Sequence, residues 1–379
     1  MAQTLSTRTL NRTLLDRQCL LRRERRPALE LIGHLVGMQS QVPGDPFTAL
    51  WSRIEGFDPA ELDAAMLERR AVRTGVMRTT LHLLTADDAV AFAPLFAGVQ
   101  QRAFRAQRRF REGIEGMDLA ELLAAGTAAI EERPRTPAEL ARILGERWPD
   151  RDAQSLGMAI RYFVPIVQVT PRGLWQRRMQ PTITTVAAWL DRTPPIASVP
   201  SVEEEVVLRY LRAFGPASVS DIRTWSWMTG LRAVVDRLRP RLRTYRDERG
   251  RELLDADDAS IADPDENAPI RFLPEYDNLL LSHDDRTRIS GSWYPESRFS
   301  RGSVLVDGFG AAGWRIERDK GRANLLVDVF VDLSPSQHAE LEAEGHALLA
   351  FLAADAEVRD VIAARFDPAT WPPPAAGAR

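Results

Sequence analysis

The sequence predicts a mainly helical α+β fold: tandem winged-helix units, then a C-terminal antiparallel β region and terminal helices. Three observations predict it. A pattern of short helices followed by two strands around a polar turn recurs over 134–182 and 203–254, and more loosely over the first 84 residues. Residues 270–332 switch to short β-like runs parted by Gly, Asp and Pro. A content of 44% hydrophobic and 27% charged residues belongs to a chain that buries a core.

The elements follow in order. Helices are expected near 8–22, 28–38, 46–54 and 59–68, then a long stretch of strand character over Val72–Leu84. Thr136-Pro137-Ala138-Glu139 reads as an N-cap, a proline at the first helical position and an acid at the third. Leu140, Ile143 and Leu144 give that helix its apolar face, with Gly145 at its stop. A second helix is expected over 151–164, and Ile166–Thr170, a Pro171-Arg172-Gly173 turn and Leu174–Gln176 complete a hairpin. The next pass has helices over 203–213, Ser218–Met228 (Ser220 as N-cap) and Leu231–Leu238, and a hairpin over Leu242–Leu254. Ile270–Leu273, Val304–Val306, Gly313–Ile316 and Leu325–Phe330 suggest an antiparallel sheet or partial barrel. Residues 335–365 return to an Ala-rich helical pattern, and the Pro-rich tail from Pro372 reads as disordered. The expected division is a first winged-helix unit over 1–116, a second over 117–200, a third over 201–258, and the β-rich region with C-terminal helices over 259–379.

Composition narrows the function. A net charge of −3 means that any nucleic-acid surface is a local patch, best placed on a concave face. One Cys, Cys19, leaves no disulfide framework, and five His without paired spacing argue against a metal site; no cofactor is expected. No apolar run approaches the ~18 residues of a membrane helix, and no signal segment opens the chain, so a cytoplasmic, membrane-free protein is expected. Of the 50 Lys and Arg residues only Lys320 is a lysine, so imine chemistry has one lysine candidate.

Several segments carry a more specific signal. They are His34–Pro43, which contains Gln39-Ser40-Gln41; Trp51–Ile54; Arg69–Arg73; Met77–Leu84; Phe272–Arg286; Val304–Phe309; and Trp314–Ile316. Their order and spacing resemble the AlkZ-like bacterial DNA glycosylases over about residues 5–365. The resemblance implies a C-shaped monomer with a DNA channel whose partner is double-stranded DNA carrying alkylated bases. It implies excision of alkylated purines, N7-alkylguanine and N3-alkyladenine; some members unhook interstrand crosslinks, and some confer self-resistance on antibiotic producers. It implies a Gln-x-Gln catalytic signature, which falls on Gln39 and Gln41. Ser40 stands where relatives often carry a small apolar residue.

The chemistry asks for such groups on its own terms. A cationic alkylpurine leaves with little protonation, so the enzyme must hold a water at the anomeric carbon and tolerate an oxocarbenium-like sugar. Paired amide carbonyls do both. The competing reading makes Gln39 and Gln41 ordinary polar residues that cap a helix end. With no lysine near the pair, a monofunctional enzyme without lyase activity is expected. Base flipping is the usual route, but bulky adducts favour an open cleft.

Other candidates are assigned to DNA or substrate contact. His82, on a strand between leucines, reads first as a satisfied structural histidine near the pair. Arg78, with Arg69, Arg70 and Arg73, reads as a phosphate contact or as solvated charge. Asn278, His283, Asp285, Arg286 and Arg288 read as a groove-entering loop or, equally, as a polar turn in which Asp pairs with Arg. Arg102, Arg105, Arg108, Arg109 and Arg111 form a DNA-facing stripe or a solvated face, and Trp225, Trp227, Trp51 and Trp189 are assigned to the core. Two other functions stay open: a non-catalytic winged-helix DNA binder, and a fold relative that acts through protein contacts.

Overall fold

The computed structural model describes residues 2–192, 199–290 and 301–366. Among the described residues it is mainly helical with three sheets, an α+β fold. The Pro-rich tail from Pro372 lies outside the described residues.

The first sheet positions the site. Its strands run in the spatial order Met38–Gln39, Leu81–Thr85, Ala71–Gly75, Ile166–Gln168, Ile183–Thr185, all antiparallel. The hairpin expected after Phe163 is therefore different: Ile166–Gln168 pairs with Ile183–Thr185, not with Leu174–Gln176. Pro171 lies in the loop between them, where a ring without N–H ends the ladder. The strand character expected over Val72–Leu84 resolves into two strands around a tight turn at Val76–Thr80.

The second sheet has the order Val358–Arg365, Arg322–Val329, Phe309–Asp319, Gly302–Val306, Arg271–Leu273. The C-terminal helical expectation is corrected here. The helix Pro335–Leu352 ends, and Val358–Arg365 becomes an edge strand parallel to Arg322–Val329. Its register, Val361 on Leu325 and Ile362 on Leu326, shows backbone pairing and β-branched residues outweighing the helix propensity of its alanines. In the third sheet Thr4–Leu5 runs parallel to Leu242–Asp247, which pairs antiparallel with Glu252–Ala256.

The helix–helix–helix–hairpin order of the 203–254 segment is present: Val199–Phe214, Val219–Ser226, Leu231–Leu238, then the hairpin. Its second helix is capped by Ser218, not Ser220, through a capping box with Asp221. The capping box at Thr136 and Glu139 is as expected, although the helix passes Gly145 to end at Arg147. Two long helices lie outside the expected elements, Ala86–Ala106 and Leu119–Glu132. The largest core gathers Leu14, Phe92, Phe96, Tyr210, Phe214, Trp225 and Leu254 from helices and hairpin together. Backbone ladders cross the boundaries expected at 116 and 200, from Arg73–Thr74 to Val167–Gln168 and from Thr4–Leu5 to Arg246–Asp247.

Candidate active site

The helix Ala28–His34 stops short of the expected residue 38. Val36 and Gly37 take positive φ, and the chain turns into the two-residue strand that holds Gln39. Gly37 is required twice over: its φ is +91°, and a Cβ there would lie 2.2 Å from the Leu84 side chain. The Gln pair thus sits at a sheet edge and not at a helix end. The strand ends at Gln39 and Gln41 lies in the bend beyond it; the Gln39 side chain meets Arg78 and that of Gln41 the Leu81 N–H, while Ser40 meets Arg73.

The opposite side explains Ser40. Its hydroxyl accepts from Arg73 Nε at 2.8 Å and its carbonyl from Arg73 Nη2 at 2.6 Å. Arg73 is 1% exposed, and the third bond of its guanidinium goes to Gln168 Oε1 at 2.9 Å, not to a carboxylate. Burial, then the charge of Arg172, pushes its pKa down to about 10. Arg73 therefore locks the strand of the pair from behind and is not placed to meet a phosphate.

On the near side the centre is Arg78. It lies in the hairpin turn with φ +53°, followed by Thr79 at +59°. Two left-handed residues in succession suit Asn-Gly; a β-branched Thr there is a conformational outlier, of the kind that clusters at functional sites. Arg78 Nη2 donates to Gln39 Oε1 at 2.8 Å and to His82 Nε2 at 3.3 Å, while Nη1 donates to Trp225 O at 2.5 Å. Burial, and behind it the charge of Arg286, lowers its pKa to about 10. His82 is fully buried opposite Gln39 in the ladder. Its Nδ1 donates to Thr80 O at 3.1 Å, which leaves Nε2 to accept from Arg78. Burial, then Arg78, drives its pKa down to about 3, so the ring is neutral. His82 is the satisfied structural histidine, and it serves the pair through Arg78.

Asn278 braces the pair from another segment. Its Oδ1 accepts from the Gln39 N–H at 3.0 Å, and its Nδ2 donates to Gly37 O at 2.6 Å. It opens a short helix, Asn278–Leu281. Asp277 caps that helix and forms a fully buried bidentate pair with Arg53 at 2.7 and 2.9 Å. Asn278 is 5% exposed, so it holds the backbone and is not placed against DNA.

The pair itself is asymmetric. Gln39 is 6% exposed, with its Nε2 unbonded among the described residues. Gln41 is exposed, and its Oε1 takes a 3.3 Å bond from the Leu81 N–H. Each carbonyl oxygen keeps a second lone pair for a ligand.

The remaining candidates divide. His283 is 2% exposed, with Nε2 at 3.1 Å from Phe214 O, so it does not enter a groove; burial lowers its pKa to about 3. Arg288 is 4% exposed and donates to Pro216 O at 2.8 Å, out of reach of phosphate. Asp285 pairs with Arg249 and Arg251 and bonds the Thr287 N–H, which is the polar-turn alternative. Arg286 is brought near Arg78. The arginine stripe breaks where the helix ends at Ala106: Arg108 pairs with Glu112, while Arg102 grips Trp227 O at 3.0 Å. Trp225 is core, but Trp227 is 49% exposed.

Sequence reading missed Asp45, at the start of the helix after the pair. Its Oδ2 is buried without a hydrogen bond among the described residues, and burial, then Glu275, pushes its pKa up to about 8. It also missed the roles of Ser40 and Arg73. The signal available for them was a Ser in a motif that favours an apolar residue, facing an alternate residue of the neighbouring strand.

The family model described as DNA glycosylase AlkZ-like matches residues 32–351. Among solved structures, the DNA glycosylase AlkZ of Streptomyces sahachiroi is similar, with 20% identity and a TM-score of 0.75 over 96% of this chain and 100% of that one. No curated protein matched. At that identity the structural likeness shows the fold alone, but the family match spans most of the chain. The chain belongs to the AlkZ-like DNA glycosylase family.

Proposed function

We propose that this DNA glycosylase hydrolyses the N-glycosidic bond of alkylated purines in duplex DNA, N7-alkylguanine and N3-alkyladenine, with Gln39 and Gln41 holding the water. The observation that carries the reading is the asymmetric amide pair: Gln39 clamped by Arg78 and Asn278, Gln41 exposed beside it. The clamp fixes the Gln39 amide before substrate arrives, which is how preorganised dipoles stabilise a transition state. Gln41 meets the solvent side. The free lone pair on each carbonyl accepts from the water and offers partial negative charge to the sugar as its bond to the purine stretches. The departing alkylpurine is already cationic and leaves neutral, so none of the buried neutral groups need supply a proton.

Two features support the finer parts. Lys320 lies on the turn between Phe309–Asp319 and Arg322–Val329, in a different sheet from the pair, so the side chains at the site hold no amine for an imine. The recess beside Gln39, lined by Met38, Tyr276 and Asn278, is water-sized and not purine-sized. That suits an open cleft, which admits bulky adducts and crosslinks.

The test is base release from a duplex with one N7-methylguanine and from a duplex with one bulky N7 adduct, followed by strand analysis with and without alkali. Release from both, with strand breaks only after alkali, is expected. Breaks without alkali would overturn the monofunctional assignment, and release confined to methyl would overturn the open cleft. DNA binding with no release from either duplex would favour the non-catalytic binder.

A further inference from the structure

Trp227 is a half-exposed tryptophan. It caps the helix Val219–Ser226 in the left-handed region, with φ +59° and ψ 17°. Gly or Asn is the ordinary residue at such a position, because a side chain there is strained. The neighbours on both sides are buried, Ser226 at 0% and Met228 at 4%, while the indole stays 49% exposed.

The backbone that carries the indole is held firmly. Trp225 packs against Tyr210, with ring centroids 4.9 Å apart. Ser226 Oγ donates to Ile222 O at 2.7 Å and accepts from the Met228 N–H at 3.1 Å. Arg102 donates to the carbonyl of Trp227 itself. The guanidinium of Arg78 grips Trp225 O with one nitrogen and Gln39 Oε1 with the other. One side chain therefore ties the amide pair to the segment that presents the indole, two residues further on. One turn before it stands Arg223, whose carbonyl accepts from the Trp227 N–H and whose exposed guanidinium has no hydrogen bond or ion pair among the described residues. An exposed aromatic ring with an uncommitted guanidinium beside it is the combination that stacks on bases while tracking a phosphate backbone.

We propose that Trp227 is the platform that packs on the π-face of a nucleobase at the excision site, with Arg223 on the neighbouring phosphate. This rests on the Gln-pair reading, since Arg78 is the tie between the indole and that pair. The ring holds the base next to the target sugar once the alkylated purine has moved or left, when a stacking face is open. A base in an undamaged duplex is already stacked on both faces and offers none.

The experiment compares affinity for a duplex with one tetrahydrofuran abasic-site analogue and for the matched undamaged duplex. Trp227→Gly suits the left-handed backbone, so it keeps the fold and its melting temperature does not fall. It should weaken binding to the abasic duplex about tenfold, and to the undamaged duplex by less than about twofold. Trp227→Phe should recover most of the loss, and Arg223→Ala should weaken both duplexes alike and lower the salt dependence. An unchanged affinity of Trp227→Gly for the abasic duplex, an equal loss on both duplexes, or a wild type that does not distinguish them would overturn the proposal. Base release from N7-methylguanine is measured in parallel. Its absence in wild type sinks the glycosylase reading, whereas the binding contrast stands or falls by itself.

Discussion

Replacing Arg78 by Met separates the assembly of the amide pair from the stability of the fold. The guanidinium serves three acceptors: Gln39 Oε1, Trp225 O and, at a longer 3.3 Å, His82 Nε2. A hydrogen bond from a charged donor contributes about 1.5–3 kcal/mol, so the two short ones contribute about 3–6 kcal/mol. Against this stands the desolvation of the cation. A pKa lowered from 12.5 to about 10 corresponds to about 3 kcal/mol. Methionine keeps the volume and removes the charge, so the two sides partly cancel, and unfolding should change by no more than about 3 kcal/mol. Activity does not share the cancellation, because the Gln39 amide loses the bond that orients it. Single-turnover release of N7-methylguanine should fall about 10- to 100-fold, equivalent to about 1.4–2.8 kcal/mol in the barrier. Arg78→Lys, whose compact ammonium lacks the fork that spans Gln39 and Trp225, should fall between. The pKa of His82 should also rise, since the Arg78 charge is one of its depressing causes. Unchanged release in Arg78→Met, with urea unfolding within the stated range, would refute the clamp.

Three further outcomes follow from the same contacts. Ser40→Ala removes the hydroxyl from a buried guanidinium that has no carboxylate, and should lower unfolding stability by about 2 kcal/mol in urea titrations. Asn278→Ala leaves the Gln39 N–H and Gly37 O unpaired, for a loss of about 2 kcal/mol together with reduced release; a fall in only one would contradict its bracing role. Stability should also depend on pH from two directions. His82 and His283, with pKa near 3 when folded against 6.5 unfolded, let the unfolded chain take up protons first, so stability is full above pH 6.5 and falls as pH drops towards 3. Asp45, raised from 3.8 to about 8, binds its proton in the folded state, so its contribution is present at low pH and is lost as pH rises towards 8. Asp45→Asn should therefore gain on wild type by about 1.4 kcal/mol per pH unit on the approach to pH 8, and parallel urea midpoints for the two proteins would contradict it.

Much of the fold was legible because its signals are local. Thr136 and Glu139 close a capping box within four residues, and the Leu242–Leu254 hairpin is written in a polar turn between apolar runs. The partner of Ile166–Gln168 was misread because strand pairing is decided in three dimensions, and the nearer Leu174–Gln176 lost to Ile183–Thr185. Val358–Arg365 was misread because an edge position in a sheet overrides the propensity of single alanines. At the site, Gln39 and Gln41 were singled out by the resemblance to the family's Gln-x-Gln signature. What supports them was hidden, since Arg73, Arg78 and Asn278 reach them across 33, 39 and 239 residues of chain. No pattern in Met77–Thr80 announces two left-handed residues, because Arg-Thr is not a sequence that prefers them. His283 and Arg288 looked like contacts because their polarity was visible and their burial was not.

The most direct measurement is the chemistry of Gln41→Ala, the exposed half of the pair, under single-turnover conditions on an N7-methylguanine duplex. Affinity for the abasic analogue is measured beside it. Release should fall by at least about a hundredfold, as when an oriented dipole is lost from a transition state, with affinity within about twofold of wild type. Release at the wild-type rate would contradict the account, because the reacting water would then be held by some other group.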